Sequence, residues 1–256
     1  MSALITKALA QISARTSLNP DTLRYCLARA LEGAMCEFYR IRECKVDLDD
    51  RIVTPTFHVG RDMEIEEARL FCSDATYNDL IPVEFSFEMI HRDIVARTMQ
   101  LFRDIIREVE TDALEKKWQK QAHQAVEGVI GARYPDWIEV NLGDDARGVM
   151  YKPEWTPLEA ASYREGKLLF FYVVKVVRKG SAVHVHLSRA SIGLPGAILK
   201  TMAPWVRVET TKRIVGRKSW LRITPAVPGA VLREVRAKLN GEVIETACNP
   251  ASPTIF

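Results

Sequence analysis

Between residues 126 and 190 apolar and polar positions alternate in short runs broken by turn formers. In Trp137-Ile138-Glu139-Val140-Asn141-Leu142, successive side chains of a strand point to opposite faces. Ile138, Val140 and Leu142 then face inward, and Trp137, Glu139 and Asn141 face outward. Gly143-Asp144-Asp145 supplies a turn before Gly148-Val149-Met150-Tyr151. Arg164-Glu165-Gly166-Lys167 leads into a long apolar strand, and Val183-His184-Val185-His186-Leu187 alternates again. Five short strands at this spacing predict a small closed antiparallel barrel. Barrels of this kind commonly hold single-stranded nucleic acid on one face.

Elsewhere the period is helical. Leu4, Ile5, Ala8, Leu9 and Ile12 predict an amphipathic helix over residues 2–14. Asn19-Pro20-Asp21 reads as an N-cap, a first-turn proline and a first-turn acid. The helix that follows aligns Leu23, Leu27, Ala30, Leu31, Ala34 and Phe38 along one stripe. Residues 45–48 and 51–59 read as a hairpin around Asp49-Asp50, residues 64–72 as a short helix and 81–86 as a strand. Residues 89–124 contain no Pro or Gly and carry Ile90, Ile94, Leu101, Ile105 and Val109 as an apolar stripe, with Leu114 and Trp118 near the end. That helix would be roughly 50 Å long and would connect two domains. Beyond the barrel, residues 193–202 predict a helix, 206–212 and 219–224 paired strands, 228–239 a helix stopped by Asn240-Gly241, and 242–247 a last strand before a loose tail. The chain reads as an α+β multidomain protein with domains at 1–124, 125–192 and 193–256.

Composition narrows the function classes. Of 256 residues, 47% are hydrophobic and 27% charged, as in ordinary globular proteins. No apolar run approaches the roughly 20 residues of a membrane span, and the N-terminal segment reads as an amphipathic helix rather than a signal peptide. The five cysteines, Cys26, Cys36, Cys44, Cys72 and Cys248, show no C-x-x-C spacing and read as free thiols of a reducing cytoplasm. Charge is asymmetric: residues 1–125 hold 17 basic against 21 acidic side chains, and residues 126–256 hold 19 against 12. Residues 200–256 hold 10 against 4. The basic part points to a polyanion and the acidic part to a protein partner.

Several residues carry candidate contacts. Trp137 beside Tyr134 would form a stacking platform, worth about 1–3 kcal/mol per base; packing against a neighbouring domain is the alternative. His184 and His186 share the outward face of their strand, where they would stack on or hydrogen-bond to RNA; a solvated strand face is the alternative. An H-x-H pair also suits a metal, but no third ligand accompanies it, and no metal or cofactor is expected. Arg189, at the end of the same strand, would take a phosphate. Lys212, Arg213, Arg217 and Lys218 crowd one hairpin, with Arg222, Arg233 and Arg236 after it. They would form one basic surface for backbone phosphates; a solvated surface, or a patch that docks on an acidic polymerase surface, is the alternative. No phosphate-binding loop, nucleophile elbow or H-E-x-x-H motif is present. Asp47, Asp49 and Asp50 read as turn formers, and no enzyme is expected.

The order of these parts resembles the bacterial transcription factor NusA. Leu18-Asn19-Pro20-Asp21-Thr22-Leu23, Ala28-Arg29-Ala30-Leu31 and Tyr39 are similar to the first long helix of its N-terminal domain, and Glu64-Ile65-Glu66-Glu67-Ala68-Arg69 to its second helical motif. Gly128-Val129-Ile130, Ile138-Glu139-Val140-Asn141-Leu142-Gly143, Tyr163-Arg164-Glu165-Gly166 and Leu187-Ser188-Arg189 resemble its S1-type OB fold. Residues 205–246 resemble its first KH domain. The chain departs from the family where Thr224-Pro225-Ala226-Val227-Pro228-Gly229 runs into a single helix, without the G-x-x-G turn between two helices that clamps RNA in KH domains. The resemblance reaches the first KH domain and implies a shortened relative, with no second KH domain expected. The resemblance implies a mixed α/β N-terminal domain that grips core RNA polymerase, an OB barrel for nascent single-stranded RNA, a truncated KH-like unit, and other elongation factors as further partners in the cytoplasm. A stand-alone RNA-binding regulator and a protein-interaction adaptor are the alternatives.

Overall fold

Asn19 begins the first described helix, as its side chain accepts the N–H of Thr22 at 2.8 Å and Pro20 opens the first turn. The computed structural model describes residues 16, 18–144 and 146–248, so the helix expected over 2–14, Asp145 and the tail lie outside the described residues. The chain divides into two compact units, Met1–Glu110 and Thr111–Phe256.

In the first unit, helix α1 (Pro20–Tyr39) buries Leu23, Cys26, Ala30, Leu31, Ala34 and Met35 along one stripe. Strands β1 (Glu43–Asp47) and β2 (Ile52–His58) form the expected hairpin. The Asp47 carboxylate accepts the N–H groups of Asp49 and Asp50 at 2.8 and 2.9 Å, which is the work of a turn former. After α2 (Ile65–Phe71), the single strand expected over 81–86 is two short ones, β3 (Leu80–Pro82) and β4 (Phe85–Ser86), both paired to β2. The interruption falls after Pro82, where Val83 instead donates its N–H to the Pro55 carbonyl. Helix α3 (Arg92–Gln119) is shorter than expected at both ends, preceded by a 3-10 turn at Phe87–Met89. Its Phe102 and Ile106 pack with Leu23, Cys26 and Ala30 of α1.

The second unit holds the barrel. Strands β5 (Ala125–Arg133), β6 (Trp137–Asn141), β7 (Arg147–Tyr151), β8 (Leu168–Lys179) and β9 (Ala182–Ser188) close in the order β5-β6-β7-β9-β8. The sequence reading expected an antiparallel barrel; β7 and β9 are parallel neighbours, because the connection through the 3-10 turns Lys152–Glu154 and Pro157–Ser162 lets β8 return beside β5. Ile130, Ile138, Val140, Met150, Phe171, Val173, Val185 and Leu187 fill the interior. Gly148 permits the closure: a Cβ there would stand 2.5 Å from the Val140 carbonyl oxygen. Asp144 ties the β6–β7 loop to the end of α3 by accepting the Trp118 indole N–H at 3.0 Å and the Lys117 ammonium at 2.9 Å.

Helix α4 (Leu194–Met202) then leads to β10 (Arg207–Ile214) and β11 (Lys218–Thr224), joined antiparallel, and helix α5 (Gly229–Lys238) crosses to β12 (Val243–Cys248), parallel to β11. This segment shares a core with the barrel: Ala125 and Phe170 pack with Leu194, Ile198, Leu221, Ile223, Val235 and Leu239. It lies in one compact unit with the barrel.

Two buried ion pairs join these parts. Arg189 donates to Glu159 at 2.8 and 2.5 Å, and its remaining donors reach the Phe170 carbonyl at 2.7 Å and the Lys238 carbonyl at 3.3 Å. Tyr163 donates its hydroxyl to Glu159 and accepts the Thr156 N–H. Arg213 donates to both Glu242 oxygens at 3.0 and 2.9 Å, and also to the carbonyls of Arg189 and Ser191. Ser219 and the Gly216 N–H donate to Glu242 as well. Burial pushes the Glu242 carboxyl up. The hydrogen bonds from Arg213 and Ser219, the Arg213 charge and the Gly216 N–H together outweigh it and hold the group below the ordinary glutamate value.

Replacing Arg189 alone strands a buried carboxylate, so Arg189→Ala is expected to lose about 3–5 kcal/mol in urea unfolding, and the double change Arg189→Met with Glu159→Leu to lose much less. A depressed carboxyl pKa stabilises above its unfolded value of about 4.3, and that stability is lost as pH falls through the folded value. The urea midpoint of the wild type should therefore exceed that of Glu242→Gln at pH 7, and the gap should narrow as pH falls from 5 to 3.

Candidate nucleic-acid interface

The barrel's alternation sets one outward face across four strands. On β6, Ile138 and Val140 are buried and Trp137 and Glu139 half-buried; on β9, Val183, Val185 and Leu187 are buried and His184 and His186 half-buried, as the sequence pattern implies. Register places side chains on this face side by side. Trp137 pairs with Tyr151, Asn141 with Arg147, Arg147 with His184, and His186 with Lys175. Lys179 pairs with Ala182 at the end of the same two strands.

Four rings form a band across these strands. The Tyr134 N–H donates to the Trp137 carbonyl at 2.9 Å, closing a tight turn that stacks the two rings with centroids 4.1 Å apart and planes 15° from parallel. Tyr134 thus covers one face of the Trp137 indole, and at 42% exposure it is the ring open to a further stacking partner. Tyr151, exposed between the strands that carry Trp137 and His186, lies 5.2 Å from the His186 ring.

Cations border the band. Burial first, then Lys179 and Arg147, hold His184 below the ordinary histidine value. Burial first, then Lys175, Lys179 and His184, do the same to His186. Both imidazoles are therefore neutral near pH 7, able to stack and to take a proton when an anion arrives. Tyr151, Arg147, Lys175 and Lys179 were not singled out by sequence reading. The first two flank Gly148, Val149 and Met150, which are all buried and leave no alternation to read, and a bulge between Val173 and Lys175 shifts the parity of β8.

Two expected contacts are corrected. Arg189 was expected to take a phosphate, but its side chain has no exposed surface and its donors go to Glu159 and two carbonyls. It lies past the end of β9, where strand alternation no longer applies and the 3-10 segment carrying Glu159 covers it. Arg213 was placed on the basic hairpin surface, yet its side chain is 1% exposed and consumed by Glu242. A bulge between Thr210 and Lys212 reverses the parity of β10, turning Arg213 in and Lys212 out.

The remaining basic residues do not form one surface. Ser219, Leu221 and Ile223 are buried, so Lys218, Trp220 and Arg222 occupy the other face of the sheet. There the ammonium groups of Lys212 and Lys218 lie 5.3 and 4.9 Å from the Trp220 ring centroid, a platform that charge counting overlooked. Lys218 is also paired with Glu245, and Arg222 with Glu209 at 3.1 Å. Arg217 is exposed at the turn. Arg233 and Arg236 are exposed on α5, whose Val235 packs into the core with Leu221 and Ile223. No group of three or more His, Cys, Asp or Glu placed to hold a metal occurs among the described residues.

No family model and no curated protein matches the chain. Among solved structures, an uncharacterized protein from Methanocaldococcus jannaschii is similar at 13% identity over 26% of this chain and 88% of its own, with a TM-score of 0.23. A likeness that slight carries no argument. No described helix is long and apolar enough to cross a membrane.

The histidine environment has a direct check. In NMR titrations, both His184 and His186 should titrate below the ordinary value of about 6.5, and Lys179→Ala should raise both, because it removes a cation that disfavours their protonation.

Proposed function

We propose that this chain is an RNA-binding transcription factor of the NusA type. In this reading it binds core RNA polymerase through residues 1–124 and nascent single-stranded RNA through the barrel, and it modulates elongation, pausing, termination or antitermination without catalysing a reaction. The observation that carries the reading is the outward band: Tyr134, Trp137, Tyr151 and His186 as ring surfaces, with Arg147, Lys175 and Lys179 along its border. Rings supply sequence-tolerant stacking and cations follow the backbone, which is the usual division of labour for single-stranded nucleic acid.

Two features of the architecture support it. Five strands closed with a parallel third and fifth accord with the Greek-key barrel of the OB fold. The three-stranded sheet whose parallel pair is joined through α5 accords with a KH-like unit that has lost a helix. Because α5 starts at Gly229, immediately after the Thr224-to-Pro228 stretch, no helix lies between β11 and α5 to frame a backbone-clamping turn. RNA contact is accordingly assigned first to the barrel, with the Trp220 platform and the α5 arginines as secondary phosphate contacts. The polymerase contact, the association with other elongation factors and a cytoplasmic location follow from the resemblance.

Binding of a fluorescent oligouridylate should weaken with salt at a log–log slope of about −2, from three phosphate neutralisations at roughly 0.7 each. Lys175→Ala with Lys179→Ala should reduce the slope to about −0.7, and Tyr134→Ala should weaken binding about tenfold at every salt concentration. In a purified elongation reaction on a pause-and-terminator template, the protein should change pause lifetime or terminator read-through. Binding of RNA with no effect on transcription and no retention of core polymerase at low salt would remove the polymerase half of the proposal.

A further inference from the structure

A cleft in the same unit shares no residue with the outward band. It has two adjoining parts of about 280 and 250 Å³, which have His123, Ala197 and Lys200 in common. Its polar walls are His123 and Gln124 from the turn after α3, Tyr172 from β8, Lys200 and Thr201 from α4, and Thr210 from β10. No carboxylate lines either part.

The walls are held in place by backbone geometry. His123 adopts the left-handed region at φ 64° while its N–H donates to the Val173 carbonyl at 2.9 Å. The Tyr172 hydroxyl lies 3.4 Å from His123 Nδ1, which joins the two side chains at one wall. Gly193 and Gly196 let α4 approach this closely: a Cβ on Gly193 would stand 2.7 Å from the Tyr172 ring, and one on Gly196 2.9 Å from Thr210 Oγ1. Lys200 is exposed and has no acidic partner among the described residues.

The Thr201 hydroxyl donates to the Ala197 carbonyl at 3.1 Å and the Gln124 amide to the Lys120 carbonyl at 2.8 Å, which leaves Lys200 and the His123–Tyr172 pair as the main donors, and with no carboxylate beside them they suit an oxyanion rather than a metal ion. We infer that this cleft binds a phosphate group, either as a free anion or as one phosphate of an RNA strand, with Lys200 and His123 as its charged and titratable donors. The inference does not depend on the barrel band binding RNA.

The test is a pair of titrations of the isotope-labelled full chain, one with inorganic phosphate and one with a short oligouridylate, followed through the backbone amides. The amides of Gly193, Gly196 and Thr201 should move saturably with at least one of the two. Both side chains are exposed, so His123→Ala and Lys200→Ala should keep the fold, and each should weaken the effect about tenfold. Movement with inorganic phosphate identifies a free-anion site, and movement with oligouridylate alone identifies a backbone phosphate. Lys175→Ala with Lys179→Ala should leave the inorganic phosphate response in place, which separates this site from the barrel. No saturable movement with either ligand, or movement that persists unchanged in both His123→Ala and Lys200→Ala, overturns the proposal.

Discussion

Arg213 is the group on which the second unit depends. Its guanidinium spans Glu242 and the carbonyls of Arg189 and Ser191, while the Arg189 side chain itself turns to Glu159 and to the carbonyls of Phe170 and Lys238. The two ion pairs are therefore one network: one arginine holds the backbone from which the other reaches. Removing a guanidinium from water costs several kcal/mol, and only a full set of acceptors offsets it. Here carboxylates and carbonyls occupy both guanidinium groups, and Ser219, Gly216 and Tyr163 complete the carboxylate side. A network of this kind has no half-formed version of comparable stability, so the end of β9, the 3-10 segment and the C-terminal sheet hold one arrangement.

That arrangement decides which side of the barrel is left for a ligand. Ala125 and Phe170 of β5 and β8 are taken up by the core that α4, α5 and the sheet complete. The ring surfaces left outward come from the turn after β5 and from β6, β7 and β9. Trp137 and Tyr151 face each other across one strand pair, and His186 meets Tyr151 across the next, so spacing fixed by hydrogen-bonded strands sets the spacing of the rings. A ligand would meet a surface whose geometry is already set by the sheet.

Much of this was legible in the sequence wherever strand parity held. Ile138 and Val140, or Val183, Val185 and Leu187, need only period two to be placed inward, and the Asn19 cap and the Asp47 turn follow from local chemistry. Reading failed where parity broke. The bulges in β8 and β10 reverse the alternation, and neither has a residue that announces it, so grouping Arg213 with its basic neighbours by charge misses that it turns inward, and nothing local marks Lys175 as outward. Arg189 failed for a different reason. Its partner Glu159 lies 30 residues earlier in a 3-10 segment, and no local pattern links the two. The cleft beside His123 was invisible because it gathers side chains from the end of α3 to β10, each unremarkable in its own neighbourhood.

Regional charge is likewise a poor map of contact. Residues 200–256 carry ten basic side chains against four acidic, but one arginine is buried with Glu242, two cations are paired on the sheet face, and the α5 arginines sit on a different element packed against the other face. Residues 126–199 are nearly balanced, nine basic against eight acidic, yet they supply Arg147, Lys175 and Lys179 to the band. The balance is local: Glu159 is committed to Arg189, Asp144 to Lys117 and Trp118, and Glu127 to Lys238. Three acids are thereby committed within the unit, while Glu139 stays on the outward face between Trp137 and Asn141. The potential that an approaching phosphate would meet is thus set by which carboxylates the fold consumes, and counting charges along the chain cannot separate these from the free ones.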